Sequence, residues 1–322
     1  MTMVIGPGDV GKSTLAAALA SALHAEGWEV GVVDADIGQS ALGPPTTVAL
    51  GRVRRPLARL GEADLLAMHF VGVTSPAANL MGTVVGAGRM VQRARALGLE
   101  RVVVDTSGLV AGDLGRALKQ AKIDLLAPDL VVALQRAGEC EPILRPWHSA
   151  SRPRIVRLAP TAAARVRRSE ERRRYREDAL AAYFAGAQRR TLDLTRVVLR
   201  WPALFLGAPL PEALVAAGAE AIGQPLLWAE RRNGEVAVLA AEALAPVQAR
   251  ALATLFGAGP VTTYAQEELI DALAGLHDAD GETLGLGVVR AITTSPPALE
   301  IVSPVKGAPA AVTIGRARWR SG

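Results

Sequence analysis

The chain has 322 residues, 50% of them hydrophobic and 4% aromatic, and a formal net charge of +5 at pH 7. This length allows two domains, while no uninterrupted apolar run reaches the roughly 18 residues needed to cross a membrane. The single cysteine excludes a framework of internal disulfide bonds, and the four scattered histidines lack the spacing of a structural metal site. Asp9 and Lys12 interrupt any apolar core of a signal peptide, so we expect a cytoplasmic protein with no membrane partner.

The first part of the chain alternates short strand-like and helical segments. We expect strands at Met3–Ile5 and at residues 28–36, 101–108 and 129–135, and helices at residues 13–26, 88–98 and 114–121. The strand segments are continuous runs of valine, isoleucine and leucine, which is typical of a parallel sheet buried on both faces. The sequence therefore predicts an α/β domain with a mainly parallel sheet covered by helices on both faces.

The second part of the chain has a different pattern of predicted secondary structure. From about residue 195, strand-like segments such as EVAVLA and ALEIVS are joined by turns, and one clear helix interrupts them at about Ala243–Phe256. We therefore expect an α/β domain over residues 1–194 and a smaller β-rich domain over residues 195–322.

The stretch GPGDVGKST at residues 6–14 satisfies two phosphate-binding patterns at once. Its three glycines match the G-x-G-x-x-G of a dinucleotide site, in which case Asp34 would be the acid that binds a ribose. The same stretch matches the P-loop pattern G-x-x-x-x-G-K-S, which adds Lys12 for the β- and γ-phosphates and the Ser13 hydroxyl for Mg²⁺. Because the full P-loop pattern between a strand and a helix is the more specific match, we expect a nucleoside triphosphate. The predicted binding residues are Gly6, Gly8, Asp9, Val10, Gly11, Lys12, Ser13 and Thr14.

Acidic side chains end two of the predicted strands. In DADIGQSALGPP (34–45), Asp36 is placed to hold Mg²⁺ through water or to accept a proton from an attacking hydroxyl, and Gln39 lies one short turn further on. In DTSG (105–108), Asp105 is a candidate for the outer shell of the metal. The alternative for each acid is that it only ends a strand or forms a turn.

Arginines are concentrated in residues 145–190, which contain 13 arginines, no lysine and four acidic residues, a net charge of +9. Such a block on a mildly acidic body indicates a polyanionic partner. The predicted helix at about residues 165–184 is a candidate lid, because guanidinium groups stabilise charge on a transferring phosphoryl group. The alternative is a solvated helix held by i,i+4 pairs such as Glu170–Arg174.

Together these stretches resemble the polynucleotide 5′-hydroxyl kinase family, which includes the kinases of the pre-mRNA cleavage complex and of pre-rRNA processing. The resemblance rests on GPGDVGKST, DADIGQSALGPP, HFVGVTSPAAN (69–79), DTSGLVAGDLG (105–115), RRSEERRRYREDALAAYF (167–184) and LGLGVVRAITTSPPALEIVSPV (284–305). It implies a P-loop kinase domain with an arginine-rich lid and a C-terminal domain. It also implies transfer of the γ-phosphate of ATP, with Mg²⁺, to the 5′-OH end of single-stranded or end-accessible RNA or DNA. It identifies no protein partner.

Carried over residue by residue, the resemblance implies that Lys12 contacts the β- and γ-phosphates. Ser13 and Asp36 would hold Mg²⁺, and Asp36 would also activate or orient the 5′-hydroxyl with help from Gln39. The arginines implied for the lid are Arg168 and Arg172.

The chain departs from the eukaryotic relatives in two respects. Those relatives begin with an additional β-domain that contacts the base, whereas here the P-loop strand starts almost at Met1, so we expect a prokaryotic-style member without that domain. They also carry a tryptophan after T-x-G, where this chain has Leu109. Because stacking on an aromatic ring contributes about 1–3 kcal/mol per base, we expect the substrate to be held less by stacking and more by phosphate contacts.

Two alternative functions use the same P-loop. A regulatory or assembly ATPase that acts through a protein partner would need no arginine-rich lid and would commonly carry a second P-loop lysine. A kinase for a small metabolite would not need the basic block that flanks the lid, such as Arg145, Arg152, Arg154 and Arg157.

Overall fold

The computed structural model describes residues 1–161 and 167–320. The chain divides into two compact units, Met1–Tyr183 and Phe184–Gly322. This division lies 11 residues before the boundary expected after residue 194, because the strand at Gln188–Asp193 pairs with a strand of the second unit.

The strands of the first unit are β1 (Thr2–Ile5), β2 (Val30–Ala35), β3 (Thr47–Val53), β4 (Asp64–Phe70), β5 (Arg101–Thr106), β6 (Leu130–Leu134) and β7 (Arg154–Leu158). Within the described residues they form one sheet in the order β4-β3-β2-β5-β1-β6-β7. All neighbours are parallel except β3, which is antiparallel to both β2 and β4. The prediction of a mainly parallel sheet is confirmed. The β3–β4 pair was not predicted, because β3 includes Gly51 and Arg52 and β4 begins with three exposed residues, so neither is a continuous buried apolar run.

The helices of the first unit are α1 (Lys12–Ala25), α2 (Leu80–Ala96), α3 (Gly112–Leu126), α4 (Glu141–Leu144) and α5 (Ser169–Tyr183), with 3-10 turns at Leu60–Glu62, Pro76–Ala78 and Arg145–Trp147. Helix α1 packs Ala16 against Val4 in the core on one face of the sheet. Helix α2 packs Met90 in a second core that contains Ile5. Because successive strand residues point to opposite faces, Val4 and Ile5 place these helices on the two sides of the sheet. The prediction of helices on both faces is confirmed.

Helix α2 begins eight residues before the helix expected at residues 88–98. Three glycines in its first turns lower the helix propensity of this segment, so the first turns of the helix were not predicted. Two of them allow close packing: a Cβ at Gly86 would lie 2.8 Å from Cδ2 of His69, and a Cβ at Gly88 would lie 2.9 Å from Cδ2 of Leu125.

The second unit is rich in β-structure, as predicted. Its strands are β8 (Gln188–Asp193), β9 (Val198–Trp201), β10 (Ala208–Pro209), β11 (Leu226–Arg232), β12 (Glu235–Ala240), β13 (Val261–Ala265), β14 (Ala272–His277), β15 (Thr283–Thr294), β16 (Pro297–Ser303) and β17 (Ala311–Arg318), and its helices are α6 (Glu212–Ile222), α7 (Pro246–Leu255) and α8 (Gln266–Leu269). In the described part of this unit the strands form two sheets, β8-β16-β15-β14-β17-β9 and β10-β11-β12-β13. The predicted helix corresponds to α7. Helix α6 was not predicted; it buries Gly218 and Ile222 and packs Leu214, Val215 and Ala219 in the core with β11 and β12. Across residues 1–161 and 167–320, no helix combines the length and the apolar character needed to cross a membrane.

Candidate active site

The P-loop connects β1 to α1 at the carboxyl edge of the sheet. Gly11, the last residue before the helix, has a left-handed backbone with φ of 88°. Gly6 lies so close to the end of β6 that a Cβ would be 2.3 Å from the carbonyl oxygen of Leu134, so only glycine fits. Lys12 is 7% exposed, and its Nζ donates a hydrogen bond to the carbonyl oxygen of Pro7 at 2.6 Å. The ammonium therefore lies across the loop at a helix N-terminus, where backbone amides and the helix dipole favour phosphate.

The other predicted phosphate-binding residues differ in exposure. Val10 is buried and packs in the core with α1, so it anchors the loop. Gly8, Ser13 and Thr14 are exposed around the loop, where their amides and hydroxyls are accessible to a ligand.

Ser13 is tied to the end of β5. Its Oγ donates a hydrogen bond to Oδ2 of Asp105, and Oδ1 of Asp105 accepts the backbone N–H of Thr106 at 2.8 Å. Burial, followed by the negative charge of Asp34, raises the pKa of Asp105 to about 7, while the bond from Ser13 acts in the opposite direction. A hydroxyl oxygen and a carboxylate oxygen thus meet at the carboxyl edge of the sheet, and oxygen atoms are the ligands that Mg²⁺ prefers.

Asp34 organises the loop that follows β2. It is 1% exposed, its Oδ1 accepts the backbone N–H of Asp36 at 3.0 Å, and its Oδ2 accepts bonds from the Ser40 hydroxyl and from the amides of Ala41 and Leu42. Burial and then the charge of Asp36 raise the pKa of Asp34. Because its oxygens are already bonded inside the protein, Asp34 cannot bind a ribose as the dinucleotide alternative requires.

Asp36 is half-buried at the start of this loop. Its Oδ1 accepts the backbone amides of Gly38 and Gln39, both at 3.1 Å. Within the described residues, both hydrogen bonds to the Asp36 carboxylate fall on Oδ1, so Oδ2 is available to another partner. The loop therefore presents one carboxylate oxygen in a fixed position beside the P-loop edge.

The first turn of α5 contacts the P-loop. Nη2 of Arg172 pairs with Oδ2 of Asp9 at 2.6 Å, and the same oxygen accepts the backbone N–H of Arg167 at 3.0 Å. Burial by itself would raise the pKa of Asp9, but the bonds and charges of these two arginines lower it below its usual value. Nη1 of Arg167 also reaches Oε1 of Gln39 at 3.5 Å, and Nε2 of Gln39 donates to the carbonyl oxygen of Arg172 at 3.2 Å. The structure thus brings together Asp9, Gln39 and two arginines of the predicted lid.

Arg168 lies elsewhere on the lid. Its side chain is exposed just before α5, and its backbone N–H donates to Oε2 of Glu171 at 2.7 Å. The lid was expected at residues 165–184; residues 162–166, which include Arg165, lie outside the described residues. Of the arginines near the expected position, Arg167 and Arg172 face the P-loop edge.

The arginines before the lid do not all lie near the P-loop. Nη1 of Arg152 donates to Oδ1 of Asp129 at 3.1 Å, and Oδ2 of Asp129 pairs with the N-terminal amine of Met1 at 2.7 Å. Because β7 runs parallel to β6 and β1, its start lies at the amino edge of the sheet, opposite the P-loop. Arg152 and Arg154 therefore lie at the edge of the sheet opposite the P-loop, although they are close to the lid in the sequence.

A surface pocket of about 410 Å³ lies beside β7 and is lined by Gly138, Glu141, Pro142, Leu144, Arg145, His148 and Arg157. Nε and Nη2 of Arg157 donate to the two carboxylate oxygens of Glu141 at 2.8 and 2.9 Å. The bonds from Arg157, and then from Gln135, lower the pKa of Glu141 to about 2. Arg157 is thus already paired with a carboxylate.

Sequence reasoning missed two lysines beneath the site. Lys119 and Lys122 of α3 are both 0% exposed, and Nζ of Lys119 donates to Oγ1 of Thr106 at 2.9 Å, directly after Asp105. Their signal in the sequence is rarity, because the chain has only four lysines among 36 lysine and arginine residues.

Residues 6–186 match the family described as mRNA cleavage and polyadenylation factor CLP1 P-loop. The chain belongs to the CLP1 P-loop family. The resemblance read from the sequence motifs is therefore confirmed, and membership of this P-loop family implies that the chain binds ATP.

Curated relatives in the CLP1 P-loop family extend the match over most of the chain. The polyribonucleotide 5′-hydroxyl-kinase of Pyrococcus furiosus is 30% identical over 303 residues, which cover 94% of this chain and 82% of the relative. That of Thermococcus kodakarensis is 31% identical over 308 residues, covering 94% and 83%. Among solved structures, a wild-type Clp1p chain in complex with Pcf11p aligns with a TM-score of 0.64 and 13% identity, covering 100% of this chain and 75% of that one. At this identity the structural match supports the fold alone.

Proposed function

We propose that this chain is a polynucleotide kinase that transfers the γ-phosphate of ATP to the 5′-hydroxyl end of RNA. The observation that carries the proposal is the meeting of three elements at one edge of the sheet: the P-loop, the loop of Asp36 and Gln39, and the start of α5 with Arg172. Phosphoryl transfer to a hydroxyl needs a phosphate cradle, a carboxylate for the hydroxyl proton and cations for the transferring group. The archaeal relatives named polyribonucleotide 5′-hydroxyl-kinases support RNA as the acceptor.

The P-loop would hold the triphosphate. The backbone amides of the exposed Gly8 and Gly11 and the N-terminus of α1 would bind the phosphate oxygens. Lys12 would exchange its bond to Pro7 for the β- and γ-phosphates, because a charged oxygen is a stronger acceptor than a neutral carbonyl.

The donor set fits a magnesium ion shared between protein and phosphates. Over residues 1–161 and 167–320, no group of three or more histidine, cysteine, aspartate or glutamate side chains could hold a metal ion by itself. Mg²⁺ usually binds one or two carboxylates together with substrate phosphates, and Ser13 would supply a hydroxyl ligand while Asp36 would hold the ion through water. The ion would neutralise charge on the β- and γ-phosphates. Asp105 would orient the Ser13 hydroxyl.

Asp36 would act on the acceptor. Oδ2 would accept the proton of the 5′-hydroxyl as the hydroxyl oxygen forms a bond to the γ-phosphorus. The bond between that phosphorus and the β–γ bridging oxygen would break, which releases ADP. The two amides on Oδ1 would hold the carboxylate in place during the transfer. Gln39 would link this loop to the lid through the backbone of Arg172.

Arg172 would stabilise the transferring phosphoryl group. Its guanidinium lies against the P-loop, where a Cβ at Gly8 would be 3.3 Å from Nη2. Developing charge on three phosphoryl oxygens is matched by a planar, permanently charged donor. Arg168, implied by the family resemblance, would need to turn from its exposed position to take part.

The test is transfer of labelled γ-phosphate from ATP to a short 5′-OH oligoribonucleotide, with the same sequence carrying a 5′-phosphate as the matched control. We expect label on the 5′-OH oligonucleotide alone, and a DNA oligonucleotide run in parallel measures the preference for RNA. ATP hydrolysis that depends on a protein partner, with no labelled oligonucleotide, would instead favour a regulatory ATPase. Label on a small metabolite alone would favour a metabolite kinase.

A further inference from the structure

Three of the four lysines of this chain are gathered in one place. Lys12 is 7% exposed and Lys119 and Lys122 are 0% exposed, whereas Lys306 is exposed in the second unit. Arginine serves almost every other cationic position, so lysine is kept where a compact ammonium must fit into a closed space. Lys12 has a role in the P-loop, which leaves the two buried lysines of α3 to be explained.

The Lys119 ammonium is bonded to the segment that follows β5. Its Nζ donates to Oγ1 of Thr106 at 2.9 Å, to the carbonyl oxygen of Ser107 at 2.5 Å and to Oγ of Ser107 at 3.4 Å. The Thr106 hydroxyl in turn donates to the carbonyl oxygen of Val4 at 2.8 Å. The three N–H bonds of one ammonium thus join α3 to β5, and through Thr106 to β1 just before the P-loop.

The segment held by Lys119 lies directly against the P-loop. A Cβ at Gly108 would be 2.6 Å from the backbone nitrogen of Gly8 and 2.7 Å from its Cα. A displacement of this segment would therefore move the Gly8 backbone, which it contacts, or Asp105, which directly precedes it and accepts the hydrogen bond of Ser13.

A fully buried lysine at this position carries an unfavourable desolvation free energy, which a purely structural role would not require. Burial, followed by the charges of Lys122 and Lys12, lowers the pKa of Lys119 well below its usual value, which shows how unfavourable the charged form is there. Apolar residues of similar volume commonly replace buried charges without loss of stability. The ammonium is therefore better explained by its three hydrogen bonds than by packing.

We propose that Lys119 is a positioning residue for phosphoryl transfer: its ammonium fixes residues 106–108 against Gly8, so that the P-loop and Asp105 keep the γ-phosphate and Ser13 in their reacting positions. This inference rests on the proposed kinase function for its kinetic test. The contact with residues 106–108 is tested independently of that function.

Lys122 provides a matched comparison on the same helix. Its Nζ reaches the carbonyl oxygen of Ala35 at 3.4 Å and has no hydrogen bond to residues 106–108 among the bonds of the described chain. Lys122→Met therefore removes an equally buried ammonium but no hydrogen bond to the segment that Lys119 holds.

The kinetic experiment compares the full-length wild-type chain with Lys119→Met and with Lys306→Met, the exposed control, at a temperature where circular dichroism shows all three folded. We expect Lys119→Met to lower kcat by about 10²-fold, because small misplacements of reacting groups have effects of this size, with KM for ATP and for the oligonucleotide changed by less than about threefold. Lys306→Met should match the wild type. A folded Lys119→Met protein with wild-type kcat would overturn the proposal, because a merely structural lysine would change stability and leave kcat intact.

Amide hydrogen exchange separates this inference from the proposed function. In the nucleotide-free proteins we expect residues 105–109 to exchange about tenfold faster in Lys119→Met than in the wild type, and at the wild-type rate in Lys122→Met. If the wild type phosphorylates no 5′-OH end, the proposed function fails and the exchange result alone decides the contact. Unchanged exchange at residues 105–109 in Lys119→Met would overturn the positioning role.

Discussion

Nη2 of Arg172 and Oδ2 of Asp9 lie 2.6 Å apart and join α5 to the P-loop. The carboxylate is 13% exposed and the guanidinium 39% exposed, so the pair is partly shielded from water. Asp9 also accepts the backbone N–H of Arg167, which makes one P-loop side chain the anchor for the first turn of the lid. The arginine that the proposed reaction requires is therefore held against the P-loop by a side chain of that loop.

Arg172→Lys tests whether phosphoryl transfer needs the planar guanidinium donors of Arg172 and not only its positive charge. Lysine keeps the charge but loses the planar guanidinium that can bind two phosphoryl oxygens, so we expect kcat to fall by about 10-fold or more while KM for both substrates changes little. Arg173→Lys is the matched control, because Arg173 is exposed and pairs with Glu177 along the same helix. Equal kinetics for the two variants would contradict a role for Arg172 in the transition state.

Lys12→Ala tests the ATP site. We expect no detectable phosphoryl transfer, because the ammonium that reaches the β- and γ-phosphates is gone, and thermal unfolding should show that the fold is kept. The bond that is lost within the protein, to the Pro7 carbonyl, is a single one on the loop. Turnover at the wild-type rate in the folded variant would rule out the P-loop assignment.

Asp36→Asn and Asp34→Asn separate a reacting carboxylate from one that shapes the loop. Asp36→Asn should lower kcat by roughly 10²–10⁴, the usual size of a general-base contribution, with ATP affinity changed by only a few-fold. Asp34→Asn should instead lower the melting temperature, because an amide cannot accept on both sides the bonds that Asp34 accepts from Asp36, Ser40 and two further amides. Steady-state kinetics and thermal unfolding of both variants provide the measurement. A damaged kcat in Asp34→Asn with a harmless Asp36→Asn would mean that the base has been assigned to the wrong acid.

The sequence was sufficient for the parts of the site that depend on local pattern. The P-loop octet predicts a strand, a turn and a helix in one stretch, and the structure has β1 and α1 on either side of it. The buried valine strands predict a parallel sheet, and parallel strands bring Asp36 and Asp105 to the same edge. These features are short-range in sequence or follow from a single topological rule.

The features that sequence reasoning missed depend on pairs of residues far apart in the chain. Lys119 reaches Thr106 across a helix-to-strand contact, and neither residue type signals this partnership. The choice among the lid arginines had the same difficulty. Five arginines lie within residues 167–174, and only the three-dimensional contact with the Asp9 carboxylate distinguishes the side chain of Arg172. Arg152 was grouped with the lid because it is close in sequence, yet β7 places it at the opposite edge of the sheet.

Glu141 and Arg157 predict a pH dependence of stability. The pKa of Glu141 is about 2 in the folded chain against an ordinary 4.5, so its pairing stabilises the fold above pH 4.5 and is lost as the pH falls from 4.5 toward 2. Both side chains are more than 40% exposed, so solvent screens the pair and we expect a contribution below about 1 kcal/mol. Urea unfolding of the wild type and of Glu141→Gln should show a constant difference in the free energy of unfolding above about pH 5, which shrinks toward pH 2. A difference that grows on acidification would contradict the assignment.

Arg167 and Arg152 allow the acceptor surface to be located by matched charge reversals. Nη1 of Arg167 lies 3.5 Å from Oε1 of Gln39 beside Asp36, whereas Arg152 pairs with Asp129 at the amino edge of the sheet. Each phosphate contact on a single strand contributes about −0.7 to the log–log slope of binding against salt. Arg167→Glu should therefore make the slope shallower by about 0.7 and raise KM for a trinucleotide about tenfold, with KM for ATP little changed. Arg152→Glu should change neither quantity, although repulsion from Asp129 should lower stability by a few tenths of a kcal/mol. If Arg152→Glu weakened trinucleotide binding as much as Arg167→Glu, the acceptor would not enter from the side of Asp36 and Gln39.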